Sequence, residues 1–222
     1  MTSKGDYGQK VAEFLLQIKA IELNPEKPFT WASGLKSPIY CDNRKILSYP
    51  KVRTFIRQQF VKGILEHYGK PEVIAGVATG GIAHGALVAE EMGLPFVYVR
   101  SAPKAHGLGN VVEGVIQQGA SVVVIEDLIS TGKSSLQAVA ALREQGAVVK
   151  GMVAIFTYGF LIADKDFKKA GCELHTLSNY GALLEQAKKS GYISDDQLKR
   201  LESWKKDPEQ WSRQFEDRIE AK

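Results

Sequence analysis

The chain has 222 residues, of which 44% are hydrophobic, and a formal net charge of +4 at pH 7. A chain of this size and composition can bury a substantial core, and its small net charge does not demand a nucleic-acid partner. No apolar run approaches the ~20 residues that span a membrane, and residues 1–10 lack the apolar stretch of a secretory signal. The two cysteines, Cys41 and Cys172, have no metal-binding or redox spacing, so we expect free thiols and a cytoplasmic location.

The first predicted elements are helices at residues 6–20 and 51–68, where apolar side chains recur on one face. Residues 21–50 between them are rich in turn formers, so we expect irregular structure there. Apolar runs typical of buried strands then alternate with helical patterns, and this alternation predicts an α/β fold: a mainly parallel five-stranded sheet flanked by helices. The strands are predicted near residues 73–78, 96–99, 122–125, 148–156 and 173–177, and the helices near residues 82–92, 134–145 and 165–170.

A short apolar run at Val111–Ile116 could add a strand that leads out of the polar loop before it. Proline and glycine are not clustered into a linker. We therefore expect a single domain over residues 1–222, with an N-terminal part at about 21–50, a core at about 70–180 and a C-terminal tail.

The tail, about residues 181–222, is predicted to be helical. Residues 194–197 have the sequence of a capping box, and Asp207 is followed by a proline, which is typical of a second helix start. We interpret Trp204 and Trp211 as packing residues.

The stretch VVVIEDLISTGKSS, residues 122–135, is the most informative motif. Glu126 and Asp127 follow a buried strand, and parallel sheets bind ligands at the carboxyl ends of their strands. The turn at Leu128–Ser134 offers backbone N–H groups and hydroxyls to a phosphate at a helix start. Carboxylates would repel a bare phosphate, but they accept hydrogen bonds from ribose hydroxyls. The motif therefore predicts a sugar-phosphate site.

Two other interpretations of this motif were considered. A nucleotide-binding Walker loop needs a glycine five positions before Gly132, and the chain has Asp127 there. The segment could also be an ordinary strand, turn and helix in which the acids cap the helix. An acid pair followed at once by serine, threonine and glycine in one turn favours the sugar-phosphate interpretation.

Two further loops carry polar groups. The loop from Arg100 to Asn110 contains Lys104 and His106 as well as two glycines. It could be a plain surface loop, but its cations also suit a lid over an anionic ligand. At Thr79–Gly81, glycines after a buried strand let the backbone approach an anion. We interpret His84, just beyond, as a structural histidine.

Three segments together resemble known enzymes. Residues 122–135 resemble the signature of type I phosphoribosyltransferases, which bind phosphoribosyl pyrophosphate (PRPP). FTWASGLKSPIYCDNR at 29–44 and YVRSAPKAHGLGN at 98–110 are similar to segments of the orotate phosphoribosyltransferase family, in the form of Gram-positive bacteria. The resemblance implies the type I phosphoribosyltransferase fold, with a small N-terminal hood (about residues 21–50) over the base.

The resemblance also implies an activity. Such an enzyme transfers the phosphoribosyl group of PRPP to orotate, which gives orotidine 5′-monophosphate and pyrophosphate in pyrimidine (UMP) biosynthesis. Mg²⁺ is the implied cofactor, held mainly through PRPP and not by direct protein ligands. The implied assembly is a homodimer in which each lid loop reaches the partner's site, with no nucleic acid and no membrane as partners.

The site residues follow from the same resemblance. Lys104 is the expected catalytic residue, assisted by Arg100 and His106. Orotate is expected to contact Ser130, Tyr40, Lys36 and Arg44, although Tyr40 could equally be a core aromatic residue. PRPP is expected to contact Thr79, Gly80, Arg100, Lys104, His106, Glu126, Asp127, Leu128, Ile129, Ser130, Thr131, Gly132, Lys133 and Ser134.

The chain departs from the better-known enterobacterial pattern. Ala32 and Ser101 each stand where many members have lysine, and residues 156–157, Phe-Thr, replace an Asp-Arg pair whose arginine holds orotate. We hypothesise that backbone N–H groups of the hood, with Lys36 or Arg44, recognise the orotate carboxylate instead.

The hood hypothesis is motivated by charge. Residues 27–62 contain eight Lys or Arg and one acid, a net charge of +7. Such a segment attracts phosphates and carboxylates, but it could also attract RNA. An enzyme for another base, such as a purine, and a non-enzymatic regulator that binds nucleic acid are therefore the rival hypotheses.

Overall fold

The computed structural model describes residues 7–101 and 111–215. The helices are α1 (Tyr7–Gln17), α2 (Pro50–Tyr68), α3 (Gly80–Met92), α4 (Lys133–Glu144), α5 (Leu161–Lys169), α6 (Tyr180–Lys189), α7 (Asp195–Lys206) and α8 (Pro208–Arg213), with a 3₁₀ helix at Asn43–Ser48. The strands are β1 (Ile21–Leu23), β2 (Phe29–Thr30), β3 (Lys36–Ser37), β4 (Ile39–Cys41), β5 (Val73–Val77), β6 (Phe96–Val99), β7 (Val112–Glu113), β8 (Ser121–Ile129), β9 (Val148–Thr157) and β10 (Leu174–Asn179).

The main sheet has six strands in the order β10-β9-β8-β5-β6-β7. Its first five strands run parallel, and β7 pairs antiparallel with β6 at the edge. The predicted α/β class is confirmed, and the predicted number of five strands is one short. The sixth strand lies within the apolar run at Val111–Ile116, but only two of its residues pair, too few to show a strand pattern.

Helices cover both faces of the sheet, as expected for a parallel sheet with buried strands. On one face, α1, α2, α3 and α6 bury apolar side chains with those of the hood and the tail. On the other face, α4 and α5 pack on β8 and β9 through side chains such as Leu142 and Phe167. In the part of the chain described, no helix combines the length and apolar character needed to cross a membrane.

The hood is more regular than the sequence predicted. β1 pairs antiparallel with β4, and β2 pairs with β3. Strands of two or three residues are too short to show an alternating pattern, so the prediction of irregular structure was wrong here. Ile21, Ile39 and Ile46 are fully buried and join the hood to the core beneath it.

The C-terminal tail holds the hood in place. Its helix α7 begins at the predicted capping box, and Asp207 caps α8 by accepting a hydrogen bond from Gln210 N at 2.9 Å. Trp204 is fully buried, with its ring edge-on to Trp31 of the hood at a centroid distance of 5.7 Å. Ser212 Oγ accepts a hydrogen bond from the backbone N–H of Lys36 at 2.8 Å. The C-terminal tail therefore packs against the hood.

A buried histidine predicts an acid-sensitive fold. The His175 ring on β10 stacks on His67 with centroids 4.0 Å apart. Burial, and then the neighbouring His67, lowers the pKa of His175 from 6.5 to about 4. The unfolded chain therefore takes up this proton at higher pH than the folded chain does. The contribution of neutral His175 to the free energy of unfolding should be fully present above pH 6.5. It should be lost as the pH falls through 6.5 towards 4.

Urea unfolding at a series of pH values checks this expectation. The free energy of unfolding should fall less steeply in His175→Gln than in the wild type over that acid range, because the variant has no imidazole to protonate. Parallel pH profiles for the two proteins would contradict it.

Candidate functional site

The acid pair lies within strand β8 and not beyond its end. The strand continues to Ile129, four residues past the predicted end. Glu126 is buried, and its carboxylate accepts hydrogen bonds from Asp127 N at 3.0 Å and from Ser135 Oγ at 2.9 Å. Burial, with the nearby charge of Asp127, raises the pKa of Glu126 well above its usual value. Hydrogen-bond donors from a ligand would stabilise its charged form.

Asp127 is the meeting point of three segments. Its carboxyl group lies so close to Gly80, the first residue of α3, that a Cβ atom at Gly80 would collide with it. Its backbone carbonyl accepts a hydrogen bond from Asn43 Nδ2 of the hood at 2.6 Å. The structure therefore joins the predicted PRPP residues of β8 and α3, and places the hood against them. Asn43 was not among the predicted site residues, because nothing in its local sequence indicates a bond to a residue 84 positions away.

The turn from Ser130 to Gly132 leads into the N-terminus of α4. Gly132 caps α4 with φ = +81°, a left-handed conformation that glycine adopts readily, and makes no side-chain capping bond. The first N–H groups of α4, from Lys133 and Ser134, therefore remain available to an anion. This geometry is that of the predicted phosphate turn.

The α3 side of the site also begins with an open helix start. The Ala78–Thr79 peptide bond is cis, and Thr79 caps α3 without a side-chain bond. His84, one turn further on, is buried, and burial lowers its pKa. Its Nε2 atom is enclosed without a hydrogen-bond partner among the described residues, and its structural role stays a prediction.

The stem of the lid loop lies beside the phosphate turn. Arg100 N donates a hydrogen bond to Val111 O at 2.8 Å, and its guanidinium pairs with Glu113 at 3.4 Å. A cavity of about 150 Å³ is lined by both ends of this stem and by Ser134. The predicted residues Lys104 and His106 lie outside the described residues.

A second cavity, which we call the hood cleft, has a volume of about 270 Å³. It is lined by both Tyr40 and Ser130, two of the predicted orotate residues. The lining residues are Thr30, Trp31, Ala32, Tyr40, Cys41, Leu128, Ser130 and Tyr158. Tyr40 is 38% exposed and is therefore not the core aromatic residue considered as the alternative. Because Ser130 also belongs to the phosphate turn, the hood cleft adjoins the predicted PRPP site.

The other two predicted orotate residues do not line the hood cleft. Lys36 Nζ donates a hydrogen bond to Thr30 Oγ1 at 2.8 Å. Thr30 itself lines the hood cleft, so the charge of Lys36 lies next to a lining residue. The Arg44 side chain is 60% exposed and pairs with Asp42 at 2.7 Å. This geometry favours Lys36 over Arg44 as a residue that could influence base recognition.

Comparison with known proteins agrees with this arrangement. Residues 48–173 match the family described as phosphoribosyl transferase domain. The chain is 59% identical to an orotate phosphoribosyltransferase of Phocaeicola vulgatus, over 90% of this chain and 94% of the relative. It is 56% identical to one of Streptococcus thermophilus, over 91% and 97%. The crystal structure of the orotate phosphoribosyltransferase from Aeropyrum pernix superposes with a TM-score of 0.70 at 25% identity, over 83% of this chain and 99% of that one. The chain belongs to the orotate phosphoribosyltransferase family.

Proposed function

We propose that the protein transfers the phosphoribosyl group of PRPP to orotate in the de novo synthesis of pyrimidine nucleotides. The observation that carries this proposal is the meeting of three parts at the carboxyl end of β8. Asp127 lies against the start of α3, the phosphate turn follows it, and the hood cleft opens beside Ser130. A ribose phosphate held by the first two parts would present its anomeric carbon towards a base in the third.

Each part has a distinct task in this reaction. The N–H groups at the start of α4 bind the 5′-phosphate, and Glu126 and Asp127 accept hydrogen bonds from the ribose hydroxyls. The backbone at Thr79–Gly80 approaches the pyrophosphate. As the bond to pyrophosphate breaks, the ribose carbon gains positive character and negative charge builds on the leaving group. The lid cations, with Lys104 foremost, stabilise that charge and exclude water.

Mg²⁺ is the proposed cofactor, carried by the pyrophosphate of PRPP. Magnesium sites of this kind use one or two carboxylates together with substrate phosphates and water. Between residues 7 and 215, outside the gap at 102–110, no three His, Cys, Asp or Glu side chains are grouped to hold a metal ion. A metal that arrives with its substrate phosphates needs no dedicated set of protein ligands. Bound with PRPP, the ion would neutralise charge on the leaving group.

We further propose a cytoplasmic homodimer in which each lid loop completes the partner's site. Both cysteines are free thiols, as a reducing compartment requires. The lid stem lies at the edge strand β7, where a loop can extend away from its own subunit.

The basic segment at residues 27–62 favours the enzyme over a nucleic-acid-binding regulator. Six of its eight basic side chains bond within the chain, and three of them pair with acids outside the segment, which lowers the local net charge from +7 to +4. The six pairs are Lys36 with Thr30, Arg44 with Asp42, Lys45 with Glu22, Arg53 with Leu47 O, Arg57 with Glu91 and Lys62 with Glu66.

Pyrophosphate release from PRPP with a panel of bases tests the proposed function. Orotate should be the preferred acceptor, and adenine, guanine and hypoxanthine should give no release above background. Release with a purine in preference to orotate would support the rival enzyme. Absence of turnover with every base, combined with salt-sensitive RNA binding, would support the regulator.

Replacing Lys36 tests the role of the hood in base recognition. In Lys36→Ala the KM for orotate should rise about 5- to 10-fold, because the charge that polarises the Thr30 hydroxyl is lost. Arg44→Ala is the matched control and should change this KM less than about twofold, because its guanidinium pairs with Asp42 at the surface. Steady-state kinetics with saturating PRPP give both values. If the two variants both keep the wild-type KM, the hood charges take no part in orotate binding.

A further inference from the structure

Tyr158 forms a fixed wall of the hood cleft. It follows the last residue of β9, and its side chain is only 3% exposed. Its ring stacks on Trp31 with centroids 5.4 Å apart and an interplanar angle of 25°. The edges of Phe156 and Trp204 meet it at 5.9 Å and 5.7 Å. Together with the ring of Phe160 at 5.6 Å, these rings hold the Tyr158 ring in one orientation.

The hydroxyl group of Tyr158 has no hydrogen-bond partner among the residues that the structure describes. The half-buried Tyr68 and the buried Tyr180 do have one: Tyr68 Oη donates to backbone carbonyls at 3.1 Å, and Tyr180 Oη donates to Leu201 O at 3.1 Å. A tyrosine hydroxyl normally finds a partner when it is buried. The Tyr158 Oη atom is not fully enclosed, and Tyr158 lines the hood cleft. A molecule in the hood cleft can therefore reach this hydroxyl.

The described residues that line the hood cleft offer an anionic base only neutral donors, because none of them is a lysine, arginine or histidine. Thr157, which stands where related enzymes have an arginine that holds orotate, uses its hydroxyl to accept a hydrogen bond from Gly159 N at 3.0 Å. Burial, the largest cause, raises the pKa of Tyr158, so its hydroxyl remains a donor. A carboxylate that enters the hood cleft therefore finds an available donor at Tyr158.

We propose that Tyr158 Oη donates a hydrogen bond to the carboxylate of the pyrimidine substrate and so distinguishes orotate from uracil. The proposal rests on the proposed function, because it assumes that the base binds in the hood cleft. Tyr158 is then a substrate-contacting residue that determines specificity. Its hydroxyl would then bind the carboxylate that an arginine at position 157 binds in the enterobacterial pattern.

Tyr158→Phe tests the proposal while it keeps the aromatic packing. The KM for orotate should rise about 10- to 100-fold, the effect of losing one hydrogen bond to a charged group. Uracil, measured as a competitive inhibitor against orotate, has no carboxylate, and its inhibition constant should change less than about twofold. The KM for PRPP and the melting temperature should stay at their wild-type values, because the lost hydroxyl has no partner in the described protein. Tyr192→Phe, at a tyrosine that is 43% exposed outside the hood cleft, is the matched control and should match the wild type.

Two results would overturn the proposal. One is an unchanged KM for orotate in Tyr158→Phe. The other is an equal weakening of orotate and uracil, which would place the hydroxyl against a group that both bases share. A wild-type protein that releases no pyrophosphate with orotate would instead contradict the proposed function, so the two failures are distinguishable.

Discussion

Replacing Lys104 with alanine should lower kcat by about 10²–10³, the effect of removing one preorganised group that stabilises developing charge. Lys104 lies outside the described residues, but both ends of its loop are fixed. The bond from Arg100 N to Val111 O closes the stem, and the cavity beside it is lined by Ser134 of the phosphate turn. Single-turnover kinetics with PRPP and orotate would measure the chemical step. A wild-type rate in Lys104→Ala would remove the lid from the mechanism.

The same variant tests whether the lid serves the partner's site. Lys104→Ala and Asp127→Asn protomers, each of low activity alone, can be mixed and allowed to exchange. In a hybrid dimer with shared sites, one site combines an intact lid with an intact acid pair. Random pairing should then restore about a quarter of wild-type activity. If each lid serves its own subunit, every site in the mixture carries one defect and activity stays low.

Gly80→Ala should lower kcat/KM for PRPP about 10²-fold with little loss of stability. The new Cβ would occupy the position of the Asp127 carboxyl group, which is the mobile end of a side chain and can swing aside. The displaced carboxylate would lose its hydrogen bonds to ribose, each worth about 1.5–3 kcal/mol for a charged group. Alanine also favours the helix that starts at residue 80, so the fold should tolerate the change.

Two further experiments support this test: a control variant and a double-mutant cycle with Asp127. Gly8→Ala places a Cβ at an ordinary contact distance in α1, 3.5 Å from Leu177 O, and should leave kinetics unchanged. In an Asp127→Ala background, Gly80→Ala should weaken PRPP binding no further, because the group that it displaces is already gone. Calorimetric titration with PRPP measures both steps. Additive losses would show that Gly80 acts through the backbone and not through Asp127.

The sequence predicted the sheet well because its strands carry strong local patterns. The run at residues 73–77 and the run at 96–99 are continuous and apolar, and both strands were predicted within one residue. The end of β8 was misjudged because Glu126 and Asp127 look like strand breakers in isolation. In the structure, pairing with β9 and the bond to Ser135 keep them in the strand. Local propensity was overridden by tertiary contacts.

The candidate site divides in the same way. The turn between β8 and α4 is contiguous in sequence, so its composition was enough to predict a turn that leads into a helix, and its phosphate role stays a prediction. Tyr158 could not be found from sequence, because its role depends on the meeting of β9 with a hood residue, Trp31, more than 100 positions away. Asn43 was missed for the same reason. Charge alone predicted Arg44, whose guanidinium turned out to pair with Asp42.

The clasp between the hood and the tail has a consequence for biogenesis. Lys36 is held by Ser212, and Trp31 packs on Trp204, so early and late parts of the polypeptide depend on each other. During translation the sheet can assemble before Trp204 and Ser212, the late residues of these two contacts, have left the ribosome. The hood cleft therefore acquires its final shape only after the tail helices have been made and have folded against the hood.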